Sequence, residues 1–314
     1  MSLTVTDLRV HYRTPRGEVQ ALDGVTFTVA DGEIMGLAGE SGSGKSTLGT
    51  SLVRLDGRMR HVGGTVELDG IPLPVADSAA MDRFRFRAVS VIPQYSMSAL
   101  NPTRKIGKMV AELLASRGER PDRAELERRL ALVGLPPDVL GRYPIELSGG
   151  MKQRVVMVVS TLLNPSLLIA DEVTSALDVS SQKAVAGMLL GLRDEGLVTS
   201  MIMVTHDISL VYQIADTIAV MYAGRLAEKA PADVIVTAPR HPYTRLLISS
   251  LPEVGVRQAE RRLDGIPGAP PSLLDPPEGC RFRDRCPLAF DRCAERPPFA
   301  EVAPGHSVAC WKAV

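Results

Sequence analysis

Aromatic residues make up only 4% of this 314-residue chain, no cysteine occurs before Cys280, and charge of either sign is missing from the balance: 36 Lys+Arg stand against 36 Asp+Glu. A neutral total argues against a general nucleic-acid binder that relies on a basic footprint, although local patches survive it. Long apolar runs are also missing. The most apolar region, residues 155–170, is interrupted by Ser160, Thr161, Asn164, Pro165 and Ser166, and nothing reaches the roughly 18 residues of a spanning helix. Asp7 and Arg9 stand where a signal peptide would be apolar, so the sequence predicts a chain that stays in the cytosol. No internal repeat or low-complexity tract is visible. What is present is a 45% hydrophobic content, enough for a packed core and too much for wholesale disorder. The length suits one large domain with an appendage, or two domains.

Residues 1 to about 30 alternate apolar and polar, as in Val25-Thr26-Phe27-Thr28-Val29, which predicts antiparallel strands. Further strands are expected at 34–38, 65–68, 89–92, 167–170, 201–204 and 217–221. Between about 104 and 163 the period turns helical: Ile106, Met109, Val110, Leu113 and Leu114 fall on one stripe. Asp122 with Glu125 resembles a capping box, and Gly134 is placed to stop that helix. Beyond about 231 proline becomes frequent and periodicity fades, which predicts a tail of low helix and strand content held by some other staple.

Gly39-Glu40-Ser41-Gly42-Ser43-Gly44-Lys45-Ser46 matches G-x-x-x-x-G-K-[ST] between an expected strand and an expected helix. Successive backbone N–H groups at a helix N-terminus make an anion nest; Lys45 reaches the β/γ-phosphates and Ser46 ligates Mg²⁺. Leu167-Leu168-Ile169-Ala170-Asp171-Glu172 reads as an apolar strand delivering two carboxylates, Asp171 for Mg²⁺ and Glu172 to polarise an attacking water.

Leu147-Ser148-Gly149-Gly150-Met151-Lys152-Gln153-Arg154 resembles the LSGGQ signature of ATP-binding cassette (ABC) ATPases. In order along the chain, Tyr12 resembles the A-loop aromatic that stacks on adenine, Gln94 the Q-loop glutamine, Ser175-Ala176-Leu177-Asp178 the D-loop and His206 the switch histidine at the γ-phosphate. The resemblance implies an α/β fold of the ABC-type P-loop NTPase class over residues 1–235. Its parts are a RecA-like core, an antiparallel β-subdomain and a helical subdomain at about 95–163. It implies Glu172, His206 and Gln94 in catalysis, and Tyr12, Gly39, Ser41, Gly42, Ser43, Gly44, Lys45, Ser46, Thr47, Gln94 and Asp171 at ATP. Mg²⁺ falls to Ser46, Gln94 and Asp171. Ser148, Gly149 and Gly150 would close over the ATP of a partner subunit, so that two nucleotides are sandwiched in a head-to-tail dimer. One departure is Val173, where the family usually has Pro.

Tyr95-Ser96-Met97-Ser98-Ala99-Leu100-Asn101-Pro102, His241-Pro242-Tyr243-Thr244 and Gly279-Cys280-Arg281-Phe282 resemble the oligopeptide and dipeptide (nickel) importer subfamily. That implies peptide import, with nickel complexes, opines or oligosaccharides as other cargoes of the same machinery. A soluble ABC ATPase of DNA repair or translation is a more distant alternative. The implied partners are a second, related ATPase chain, two membrane permease subunits at the cytoplasmic face and, indirectly, a substrate-binding protein; no nucleic acid is implied.

Residues 236–314 form an irregular Cys-rich extension on this reading. Cys280, Cys286, Cys293 and Cys310 lack the C-x₂-C spacing of structural zinc, and a cytosolic setting disfavours disulfides. Cys286-Pro287 resembles the Cys-Pro ending of ferredoxin motifs. Some importer relatives with a similar tail hold a [4Fe–4S] cluster. Zinc, with His306 replacing one Cys, and free thiols remain open. Arg281, Arg283, Arg285 and Arg292 are expected to offset thiolate charge.

Overall fold

The computed structural model describes residues 3–175, 177–250 and 265–313. The D-loop reading therefore falls partly outside the described residues, at Ala176. Two compact units emerge, one of residues 1–82 with 202–314 and the other of residues 83–201.

The first unit begins with β1 (Leu3–Thr14) and β2 (Gly17–Val29), antiparallel with Leu3 opposite Val29 and Tyr12 opposite Val19. Then come β3 (Ile34–Ala38), buried along its whole length, and α1 (Lys45–Ser51). Two further strands, β4 (Met59–Leu68) and β5 (Ile71–Pro72), complete a four-stranded sheet in the order β2-β1-β4-β5. Its inward positions are the alternating Leu3, Val5, Val10, Val25, Phe27 and Val29, all buried. β4 starts six residues before the expected 65, running through a register shift where Arg9 faces Gly63. At Gly64, φ is +86° and a Cβ would lie 2.4 Å from the Asp7 carbonyl oxygen, so the strands approach there as only glycine allows.

The second unit holds β6 (Val89–Ile92), parallel to β7 (Leu167–Asp171), and four helices: α2 (Ile106–Ser116), α3 (Arg123–Leu132), α4 (Gly149–Thr161) and α5 (Val179–Asp194). The α2 stripe is buried at Ile106, Val110 and Leu114. Asp122 caps α3, accepting from Ala124 N–H at 2.9 Å and Glu125 N–H at 3.3 Å. Glu125 does not complete a capping box; its carboxylate takes Arg128 at 2.8 Å and Arg129 at 2.7 Å instead. Gly134 stops the helix as expected, in a Schellman arrangement with Leu135 N–H on Leu130 O and Gly134 N–H on Ala131 O.

β8 (Ser200–Val204) leads back into the first unit, where Thr205 N–H donates to Leu37 O at 3.3 Å. The strand is followed by α6 (Ile208–Ile214), β9 (Thr217–Tyr222) and β10 (Arg225–Pro231), with β9 parallel to β3 and antiparallel to β10. The tail is more regular than its composition suggests. It forms α7 (Ala232–Thr237), α8 (Pro242–Ser249), and the strands β11 (Ala300–Ala303) and β12 (His306–Val308). β12 pairs with β10, Glu228 opposite Val308. These elements are too short for periodicity to expose, and α8 is set by a local device: His241 Nδ1 accepts from Tyr243 N–H at 3.0 Å, with Pro242 at the first helical position.

Candidate active site

In the first unit, β3 ends in the Gly39–Ser46 loop and α1 opens at Lys45. Gly39 has φ +141°, and a Cβ there would sit 2.2 Å from Met221 O; Gly44 has φ +104°, and its Cβ would meet Ala21 O at 2.5 Å. The loop is thus drawn against backbone at both ends, and the turn between must curl as an anion nest does. Lys45 is buried, its Nζ donating to Gly39 O at 2.8 Å and Glu40 O at 2.9 Å. The Ser43 hydroxyl is buried with no hydrogen-bond partner among the described residues, an uncommon condition that a phosphate oxygen would relieve. Glycine constraint, buried ammonium and orphaned hydroxyl together fit a polyphosphate. Tyr12 Oη lies 3.3 Å from Thr47 Oγ1, which ties β1 to α1. His206 is exposed, next to Asp207, whose carboxylate caps α6 through Leu210 N–H at 3.1 Å.

In the second unit, β7 is buried throughout and ends at Asp171. Glu172 follows at φ +45°, a left-handed conformation that costs a non-glycine residue about 1–3 kcal/mol and collects at functional sites. Its carbonyl is held by Ser175 N–H at 3.0 Å and Ser175 Oγ–H at 2.8 Å. Gln94 Nε2 donates to Glu172 Oε2 at 2.9 Å, so the candidate base and the Q-loop amide are brought together. Ser148 caps α4 by accepting from Met151 N–H at 3.3 Å, and Ser148 and Gly150 are exposed. A Cβ on Gly149 would meet Met97 Sδ at 2.7 Å, which puts the signature turn against the segment after Gln94. The sequence alone assigns Gln153 no role. It is buried, and its amide donates to Val173 O, so the residue in the unusual position is anchored through its carbonyl.

All four cysteines are free and line one pocket with Phe282, Leu288 and Trp311. Burial, reinforced by the other three thiols, pushes the Cys280 thiol up to about 11. Among the described residues, no three or more His, Cys, Asp or Glu side chains are placed as a group that could hold a metal ion. The iron–sulfur and zinc expectations therefore find no such group to support them. His306 is corrected outright: its Nε2–H donates to buried Glu228 at 2.7 Å. The arginines are corrected too. Arg281 pairs with Asp23 at 2.8 Å, Arg285 with Glu40 at 2.7 Å and Arg283 with Asp284 at 3.1 Å, while Arg292 stacks on Trp311 at 3.8 Å. Buried or half-buried guanidinium groups are drawn to carboxylates, which form bidentate pairs, before neutral thiols.

Comparison with known proteins agrees with this arrangement. The family described as ABC transporter matches residues 22–175, and the oligopeptide/dipeptide transporter C-terminal region matches residues 227–293. A probable peptide ABC transporter ATP-binding protein of Sinorhizobium fredii is 39% identical over 99% of this chain and 94% of its own length. The oligopeptide transport ATP-binding protein OppD of Salmonella typhimurium is likewise 39% identical over 99% and 94%. A dimeric ATP-binding cassette solved in a post-hydrolysis state with ADP and Pi superposes with a TM-score of 0.63 at 24% identity, over 73% of this chain and 98% of that one, and so shows the cassette fold. With similarity of that extent from one end to the other, this chain belongs to the ABC transporter ATP-binding proteins that carry the oligopeptide/dipeptide transporter C-terminal region.

Proposed function

We propose that this protein is the ATP-hydrolysing subunit of an ABC importer for di- and oligopeptides, held at the cytoplasmic face of the membrane by two permease subunits. The observation that carries the reading is the Gln94–Glu172 hydrogen bond. It joins a carboxylate suited to polarise water to a loop whose next residues, Tyr95 and Met97, are large, apolar and exposed, Tyr95 by 74%. A membrane partner that covers those side chains has a direct line to the catalytic carboxylate. Identity to peptide ATP-binding proteins over 99% of the chain supports the cargo. Among the described residues no helix is long and apolar enough to cross a membrane.

In this reading the Gly39–Gly44 amides and Lys45 bind the β- and γ-phosphates, Thr47 borders them, and Tyr12, steadied by Thr47, stacks on adenine. Ser46, Gln94 and Asp171 are the residues that would hold Mg²⁺, which supplies positive charge to the phosphates. Glu172 takes the proton of the attacking water and His206 contacts the γ-phosphate. Ser148, Gly149 and Gly150 serve the ATP of a second ATPase subunit, in a heterodimer. ATP drives closure through its greater affinity for the closed dimer. Cys280, Cys286, Cys293 and Cys310 are read as holders of a [4Fe–4S] cluster; the support is the donor set, four free thiols on one pocket.

The test is uptake of a labelled tripeptide into proteoliposomes that hold the permeases, both ATPases and the substrate-binding protein. ATP-dependent uptake, lost when this chain is left out, is the expected result. ATPase activity stimulated instead by DNA or ribosomes would sink the proposal.

A further inference from the structure

Glu40, the second residue of the phosphate loop, is gripped at every polar atom. Its carboxylate accepts from Arg285 Nη1 at 2.7 Å and Nη2 at 3.0 Å. Its N–H donates to Tyr243 Oη at 2.8 Å. Its carbonyl accepts from Ser43 N–H at 3.2 Å and from Lys45 Nζ at 2.9 Å. Arg285 and Tyr243 both come from the C-terminal extension, and all of these residues lie in the first unit.

Arg285 has no donor to spare. Besides the two bonds to Glu40 it donates to Tyr222 Oη at 3.1 Å, Pro267 O at 2.8 Å and Ile266 O at 3.1 Å, which uses the five N–H groups of a guanidinium. It is 6% exposed, and its planar group lies 5.7 Å from the Tyr222 ring centroid. Tyr243 is fully buried, 4.6 Å from Tyr222 and 5.3 Å from Phe282 between ring centroids. These are rigid supports, and lysine or a shorter side chain cannot reproduce the fork.

Electrostatics gives the arrangement a purpose. An uncompensated carboxylate on a loop built to receive a triphosphate would repel its ligand, and Arg285 cancels that charge with a bidentate pair. The Glu40 carbonyl in turn fixes the ammonium of Lys45. We propose that Arg285 and Tyr243 are positioning residues of the ATP site, through which the C-terminal extension sets the charge and shape of the phosphate loop at Glu40. This rests on the reading of Gly39–Ser46 as the ATP-binding loop.

The test compares full-length wild type with Arg285→Gln, Arg285→Lys, Glu40→Gln, Tyr243→Phe and the Glu40→Gln/Arg285→Gln double variant. The readouts are the Kd of a fluorescent ATP analogue with Mg²⁺, the split of ATPase activity into KM and kcat, and amide exchange across residues 39–46. Arg285→Gln and Arg285→Lys should each weaken binding about tenfold, the scale of a lost charge-assisted pair. KM should rise with Kd while kcat stays within about twofold. The double variant should bind no worse than Arg285→Gln alone, because the carboxylate left uncompensated in the single variant is gone. Wild-type Kd in both Arg285 variants, or strictly additive losses in the double, would overturn the proposal. Should Arg285→Gln fail to fold, Tyr243→Phe keeps the aromatic stack and must still weaken binding; unchanged affinity there overturns it as well. If wild type itself binds no ATP, the functional reading fails, and loop exchange judges the clamp alone: faster exchange in Arg285→Lys upholds it and equal exchange refutes it.

Discussion

His306 and Glu228 form a buried pair, Nε2 to Oε1 at 2.7 Å, with the carboxylate fully shielded from solvent. The same carboxylate accepts Arg240 N–H at 2.7 Å and His241 N–H at 3.0 Å. One side chain of β10 therefore holds β12 on one side and the start of α8 on the other, and α8 carries Tyr243. Replacing Glu228 by Ala leaves two buried donors, His306 and His241 N–H, and the half-buried Arg240 N–H without an acceptor. The expected cost is about 2–6 kcal/mol, at about 1–3 kcal/mol for each buried donor left unsatisfied. Glu228→Gln, which keeps volume and one acceptor oxygen, should cost less, about 1–3 kcal/mol. Urea unfolding followed by fluorescence of Trp311 checks both. Equal stability of Glu228→Ala and wild type would show that the network carries no energy.

Glu172→Gln should lower turnover by about 10² to 10⁴, the usual worth of a general base. ATP binding should survive, since the amide keeps one acceptor oxygen for Gln94 Nε2. Single-turnover hydrolysis beside an equilibrium Kd for ATP separates the two effects. Wild-type turnover in this variant would remove Glu172 from the chemistry.

The contrast between Glu172 and Glu40 shows what a sequence can carry. Gly39–Ser46 and Leu147–Arg154 are legible because phosphate binding at a helix N-terminus needs contiguous backbone, and contiguous backbone is a contiguous pattern. Strand β3 and the cap at Asp122 are legible for the same local reason. The Glu40–Arg285 pair joins residues far apart in the chain, and nothing near either one distinguishes it from a surface charge. The four arginines near the cysteines mislead on that account: proximity in sequence suggests thiolate neutralisation, whereas the folded chain sends Arg281 and Arg285 to Asp23 and Glu40, far upstream. The length of β4 is hidden because its first half, with Gly63-Gly64 at a register shift, breaks the alternation that marks a strand. The regular structure of the tail is hidden by its brevity.

Two glycines make opposite predictions. Gly39→Ala would place a Cβ 2.2 Å from Met221 O, against backbone that cannot yield, at a φ of +141° that disfavours any side chain. ATP binding should fall at least about a hundredfold, on the scale of a strained backbone costing about 1–3 kcal/mol compounded by the steric clash. Gly149→Ala meets only Met97 Sδ, the far end of a flexible side chain. The protein should fold and bind ATP normally at its own Gly39–Ser46 loop, while Met97 is displaced beside the loop that follows Gln94. Nucleotide titration of the two variants, run in parallel, checks the ranking. Normal affinity in the Gly39→Ala protein would mean the loop is not drawn against β9 as described.

The thiol pocket yields the last prediction. Four free cysteines line one concavity walled by Phe282, Leu288 and Trp311, yet no side-chain group among the described residues is placed to hold a metal ion. The [4Fe–4S] proposal rests on the donor set alone, four cysteines around one concavity. Protein purified without oxygen should then contain iron and acid-labile sulfide near about four per chain, as a [4Fe–4S] cluster requires, with visible absorption that Cys293→Ser diminishes. Iron and sulfide at background levels, with all the thiols titrated after denaturation, would leave the extension held by what the structure does show. Those supports are the Arg281–Asp23 and Arg285–Glu40 pairs, the buried Glu228 network and the stack of Tyr222, Tyr243 and Phe282.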